Sequence, residues 1–166
     1  MREMTKTNLS AAFAGESQAH LRYLVFGDIA EREGLPNIAR LFRAAAFSEQ
    51  LHATNHLRQL GGAGTTAKNV EAALGGEGFE VAEMYPAYIE VANLQNERGA
   101  ARSMTNAFEA EKVHSALYNR ACGQAQEKKD VELKPVFVCE SCGYTIEGDE
   151  APERCPICGQ IHFRKF

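Results

Sequence analysis

The chain has 166 residues, 45% hydrophobic and 24% charged, with a formal net charge of -4. That length allows one real core and a small appendix, and the acidic balance excludes a general attraction for nucleic acid or anionic membrane. No apolar run approaches the roughly 18 residues of a spanning helix, and the opening MREMTKTNLS lacks a secretory apolar core, so a cytoplasmic protein with no membrane partner is expected.

In chain order, Leu9, Ala12, Phe13, Leu21, Leu24, Val25 and Ile29 recur near the helical period and predict a first helix over about 5–32. Gly34 is suited to end it, and Pro36 to open a second helix that runs to about residue 60 and closes at Gly61 and Gly62. The stretch GGAGTTAKNVEAALGGEG reads as a long connection with at most a helical turn near 70–74. A third helix is expected over about 77–98, locally distorted by Pro86, and a fourth over about 100–128 after Gly99. Four helices with one long crossover describe a ferritin-like bundle. Beyond the charged linker EKKDVELKP, alternating apolar residues, glycine turns and paired cysteines predict a small β-rich domain held by a metal.

The chemistry sits in two kinds of motif. Glu49 and His52 on the second helix, and Glu111 and His114 on the fourth, repeat the spacing Glu-x-x-His. Residues three apart share a helix face, so each pair can turn inward toward one ion. One such pair alone is ordinarily a solvated face. Here the first helix adds Glu16 within FAGESQA, and the third adds Glu77, Glu80 and Glu83 within GEGFEVAEMYP. One Glu from each of two helices plus Glu-x-x-His from each of the others is the di-iron or di-manganese carboxylate pattern of a bundle core. Hard oxygen donors suit those metals better than copper or zinc, and burying this many carboxylates without a cation would be costly. Steps of three residues drift round a helix, so one member of the Glu77, Glu80, Glu83 trio faces away. His20 and His56 read as interface or surface histidines, and Cys122 as a small buried apolar residue. Tyr23 falls two turns after Glu16 and can reach a ligand carboxylate.

Of the five cysteines, Cys139, Cys142, Cys155 and Cys158 crowd the C-terminal part of the chain. Two Cys-x-x-Cys knuckles without an export signal point to a tetrahedral sulfur site for zinc or one iron, rather than disulfides. The flanks CESCGY and EGDEAPERCPICG closely resemble rubredoxin, in which four thiolates hold one redox-active iron.

Along nearly its whole length the chain resembles the rubrerythrins, with a di-iron helical domain over 1–130 followed by a rubredoxin-like domain over 131–166. The resemblance assigns Glu16, Glu49, His52, Glu77, Glu80, Glu111 and His114 to two non-haem irons, leaving Glu83 outside. It also places Tyr23 and Tyr85 beside the cluster and gives the four cysteines one iron, zinc being the alternative. His56 is not part of the family pattern. What the resemblance implies is a hydrogen peroxide reductase of oxidative-stress defence. A diferrous site reduces peroxide to water, and Glu80 exchanges with His52 as an iron ligand on reduction. The rubredoxin-like iron returns electrons one at a time from an NAD(P)H-dependent reductase or another rubredoxin. A homodimer is implied, the tail of one subunit serving the bundle of the other. The alternatives are a ferroxidase using oxygen and an iron-binding bundle with a structural zinc ribbon.

Overall fold

The structure, a computed structural model, describes residues 1–166. It comprises α1 (Glu3–Arg32), α2 (Pro36–Gln59), α3 (Thr66–Phe79), a π-helical segment (Glu80–Met84), α4 (Tyr85–Leu94) and α5 (Arg98–Gln126). Three strands follow, β1 (Val136–Cys139), β2 (Thr145–Glu147) and β3 (Phe163–Lys165). The chain divides into two compact units, Met1–Gly64 and Thr65–Phe166. No helix is long and apolar enough to cross a membrane.

The first unit is a hairpin of α1 and α2. Gly34, at φ +76°, lets the N–H of Leu35 return to the Ala30 carbonyl and its own N–H to Glu31, closing α1. Pro36 then opens α2 at a position where its missing N–H costs nothing. Ala39, Ala46 and Ala53, seven residues apart, are all buried and face a stripe of α1 that includes the buried Gly27 and Ala30. The approach is close: a Cβ on Gly27 would stand 3.3 Å from Arg43 Cγ and 3.4 Å from the Ala39 carbonyl oxygen. His20 crosses the same seam, its Nδ1 lying 2.8 Å from the Ala46 carbonyl oxygen, which gives it a structural role. Arg43 ties α2 to Asp28 and Glu31 of α1 at 3.3 and 2.8 Å.

The second unit differs from the sequence expectation in one large respect. The glycine-rich stretch is helix, and only residues 60–65 connect α2 to α3, so the long connection is absent. Interior glycines cost roughly 1 kcal/mol each against alanine. A stripe of half-buried Ala67, Val70, Leu74 and Glu77, repeating every three or four residues and packed on α5, offsets that cost. The third helix therefore starts at Thr66 and not near 77, and it ends at Leu94. Its stop is Asn96 at φ +59°, not Gly99, which falls in the first turn of α5. The distortion expected at Pro86 is the π segment just before it: the Tyr85 N–H reaches back five residues to the Glu80 carbonyl. That wide turn accommodates a proline, which can neither donate to nor sit close against the preceding turn.

The tail is an antiparallel sheet of order β2-β1-β3, with Val138 opposite Thr145 and Cys139 opposite Phe163. Gly143 (φ +79°) and Gly159 (φ +76°) follow the second cysteine of each knuckle and donate back to the Cys139 and Cys155 carbonyls, both at 2.9 Å. Within the second unit β2 meets α5, where Arg120 pairs with Glu147. Glu147 also accepts the Lys134 N–H at 2.8 Å, and these two partners hold its carboxyl below the usual range.

Candidate metal centres

Helical stripes bring the candidate ligands together. In the first unit Glu16 shares its face of α1 with His20, Tyr23 and Gly27, while Glu49 continues the Ala39, Phe42, Ala46 stripe of α2. One donor atom from each of Glu16, Glu49 and His52 falls within a 4.8 Å group. His52 Nδ1 lies 3.1 Å from Glu49 and 4.0 Å from Glu16. A hydrogen bond shared by the two carboxyls pushes Glu16 up, and the same bond with His52 holds Glu49 down. Two carboxyls close enough to share a hydrogen bond, with an imidazole beside them, are a donor set that suits a cation. His56 contributes to the field at Glu16 without joining the group.

Tyr23 packs against Phe26 and Phe42, with ring centroids 6.3 and 6.0 Å away. Its ring thus belongs to an aromatic cluster about two turns beyond Glu16.

In the second unit Glu77, Glu111 and His114 form a second 4.8 Å group. His114 Nδ1 is 2.7 Å from Glu111 Oε2 and 3.7 Å from Glu77 Oε2. Burial, a hydrogen bond shared with Glu111 and the charges of Glu111 and Glu80 push the Glu77 carboxyl up to about 8. Its Oε2 is buried without a hydrogen-bond partner. A buried carboxylate oxygen without a hydrogen-bond partner, 3.7 Å from an imidazole nitrogen, is a donor pair that a cation would satisfy, so the residues fit a metal. Glu80 lies outside this tight group but is raised by burial and by the charge of Glu111. Tyr85 is raised by burial and then by Glu111, Glu80 and Glu77, which places its hydroxyl in the same field. Glu83 is exposed and shows no part in the group.

This chemistry sets a pH dependence. A divalent ion must displace the proton Glu77 retains below about 8, so metal uptake by the metal-free protein should release protons and strengthen as pH rises toward that value. Titration calorimetry in buffers of different ionisation enthalpy measures both; proton release independent of pH would contradict it. The sign for stability is opposite. Glu77 keeps its proton in the fold to higher pH than in the unfolded chain, so metal-free stability falls as pH rises from the ordinary carboxyl range toward about 8.

The third group is the four cysteines, all sulfurs within 4.8 Å. Cys139 to Cys158 and Cys142 to Cys155 are each 3.6 Å apart. A disulfide requires about 2.05 Å, whereas a tetrahedron with metal-sulfur bonds of about 2.3 Å has edges of about 3.8 Å. The four sulfurs therefore fit a metal. Burial pushes the Cys139 thiol up, but hydrogen bonds from the N–H groups of Ser141 and Cys142 and from the Cys158 and Cys142 thiols together outweigh it and leave it lowered to about 7. Cys142 is raised, by burial first. Cys122 stands apart, half-buried, with Gln126 Nε2 at 3.9 Å from its sulfur.

Sequence reasoning missed one polar residue at this centre. Thr145 on β2, buried, places its Oγ1 2.7 Å from His114 Nε2. Thirty-one positions separate the two in sequence, and no local pattern marks the contact.

Residues 7–122 match the profile of the family described as Rubrerythrin, and residues 137–162 that of its rubredoxin-like domain. These are the regions that carry a di-iron carboxylate site and a four-cysteine rubredoxin-like site. The chain is 42% identical to Rubrerythrin-2 of Clostridium acetobutylicum, over 94% of this chain and 92% of that one. It is 32% identical to the rubrerythrin of Nitratidesulfovibrio vulgaris, over 96% and 92%. Among solved structures, nigerythrin in a mixed-valence state aligns with a TM-score of 0.55 and 31% identity, covering 98% of this chain and 86% of that one. Carboxylate-imidazole groups on the helices, a four-sulfur group in the tail and matches that span both lead to one conclusion: the protein belongs to the rubrerythrin family.

Proposed function

We propose that the protein reduces hydrogen peroxide to water, with a helical part over 1–130 doing the chemistry and a rubredoxin-like part over 131–166 supplying electrons. The observation that carries this reading is the presence on one chain of two oxygen-rich ligand groups and a four-sulfur group. Oxygen and imidazole donors suit ions that react with an oxidant, and four thiolates suit one that only passes electrons. The proposed ligands are Glu16, Glu49 and His52 from the first unit, Glu77, Glu80, Glu111 and His114 from the second, and the four cysteines. Irons held there supply the two electrons that, with two protons, convert peroxide to two waters, and are re-reduced one electron at a time from an NAD(P)H-dependent reductase or a rubredoxin.

The protein's own groups hold the protons and the charge. At the second group Glu77 keeps a proton up to about 8 that a cation displaces, so the resting charge there adjusts to what it binds. Glu80 stands outside the tight contacts of its group, and the His52 side chain is 53% exposed; these are the two residues proposed to exchange as ligands. Tyr23 and Tyr85 are proposed to border the reacting ions. A homodimer belongs to the same reading. The first unit presents Leu21, Val25, Leu41 and Phe47 at 56 to 68% exposure, apolar surface of the kind that partners cover.

The test mixes reduced, iron-loaded protein anaerobically with hydrogen peroxide in a stopped-flow spectrometer, beside an air-saturated sample. Fast oxidation by peroxide, then red ferric-thiolate bands, with slow oxidation in air, is the expected result. Equal speed in air would favour a ferroxidase, and a tail without thiolate bands would favour a zinc ribbon.

A further inference from the structure

We propose that Thr145 is a positioning residue for His114, setting which ring nitrogen faces the metal group. The hydroxyl of Thr145, on a residue 4% exposed, lies 3.1 Å from the Gly143 carbonyl oxygen and 2.7 Å from His114 Nε2. A hydroxyl has one proton to give and two lone pairs to accept with. Given to Gly143, that proton leaves the oxygen as an acceptor, and Nε2 must then donate. A neutral imidazole with its proton on Nε2 presents a bare lone pair at Nδ1. Nδ1 is the atom that faces Glu111 Oε2 and Glu77 Oε2, at 2.7 and 3.7 Å, and in this tautomer the 2.7 Å hydrogen bond is one that a protonated Glu111 carboxyl donates to Nδ1 and a cation would replace. The line Gly143 carbonyl, Thr145 hydroxyl, His114 ring is therefore polarised in the sense that readies Nδ1 to bind a cation.

The same line explains why the partner is a hydroxyl on the tail. Gly143 is bonded directly to Cys142, so two hydrogen bonds join a cysteine knuckle to the helical imidazole. The Arg120 to Glu147 pair holds β2 against α5 beside it. Outer partners that fix a histidine tautomer commonly change metal affinity by about 10- to 100-fold when lost.

The inference rests on reading His114 as a metal ligand, and the experiment separates the two claims. Full-length protein with its tail loaded first is titrated with zinc at the helical groups, and His114 is followed by nitrogen-15 NMR. Thr145→Val should weaken zinc binding about 10- to 100-fold and leave the Nε2 proton in fast exchange with water. Thr145→Ser should restore both, because it keeps the hydroxyl. The ferric-thiolate spectrum of each iron-loaded variant reports that the tail is folded. Arg120→Ala, which loosens docking without touching the ring, should change affinity less than about fivefold, as suits a part-exposed ion pair. If His114→Ala leaves zinc binding intact, the ligand reading fails. If His114→Ala weakens it but Thr145→Val binds as wild type with a protected Nε2 proton, or Arg120→Ala weakens it as much as Thr145→Val does, the positioning role is overturned.

Discussion

Glu111→Gln should abolish metal binding at the second helical group, by more than about 100-fold, beyond what loss of an outer partner costs. Glu111 is the hub there: its Oε2 touches His114 Nδ1 at 2.7 Å, and it contributes to the raised values of Glu77, Glu80 and Tyr85 alike. The amide keeps the volume and removes the charge. In the metal-free variant all three groups should therefore move down toward their ordinary ranges, with Glu77 and Glu80 still held up by burial, the leading cause for both. Carbon-13 titration of the two carboxyls and of the Tyr85 ring reads this directly, and visible absorption shows whether the tail iron is unchanged. Wild-type metal affinity with an unmoved Glu77 would remove Glu111 from the centre.

Cys142→Ser should have an effect as large but of another kind. The tail has strands of three and four residues, and its buried residues are Phe137, Cys139, Thr145 and Cys155. A core so small cannot hold the fold alone, so the metal supplies the stability. Removing one thiolate should erase the ferric-thiolate colour and cut steady peroxide turnover from an external donor by about 100-fold or more. A single oxidation of the pre-reduced helical site by peroxide, with iron in excess, should survive. Steady turnover near wild type would mean that electrons bypass the tail.

The candidate ligands were legible in the sequence because their spacing is a property of the helix. Glu49 with His52, and Glu111 with His114, share a face wherever the backbone is helical, and Cys-x-x-Cys makes a knuckle wherever a glycine can follow at positive φ. The first part of the third helix, before residue 77, was hidden because Gly75, Gly76 and Gly78 weaken local preference, while the stripe that compensates, Ala67 to Glu77, gains its value only against α5. The boundary between the compact units, at Gly64 and Thr65, falls inside a stretch whose composition reads as one connection. Thr145 was illegible for a different reason. Its partner lies on another element, and pairing across elements leaves no periodic trace.

The π segment is comparable to a dislocation in a crystal row. Five residues, Glu80–Met84, span a turn that carries one residue more than the α-helix fits. Each residue advances an α-helix by about 100°, so α4 is out of phase with α3 by about that angle. Deleting one residue between 80 and 84 would remove the fault and swing Tyr85 off the face it now presents toward Glu77 and Glu111. A shift of the fault by one position would leave the rest of the row in place. Only the residue it passes changes direction, and Glu80 stands at its edge.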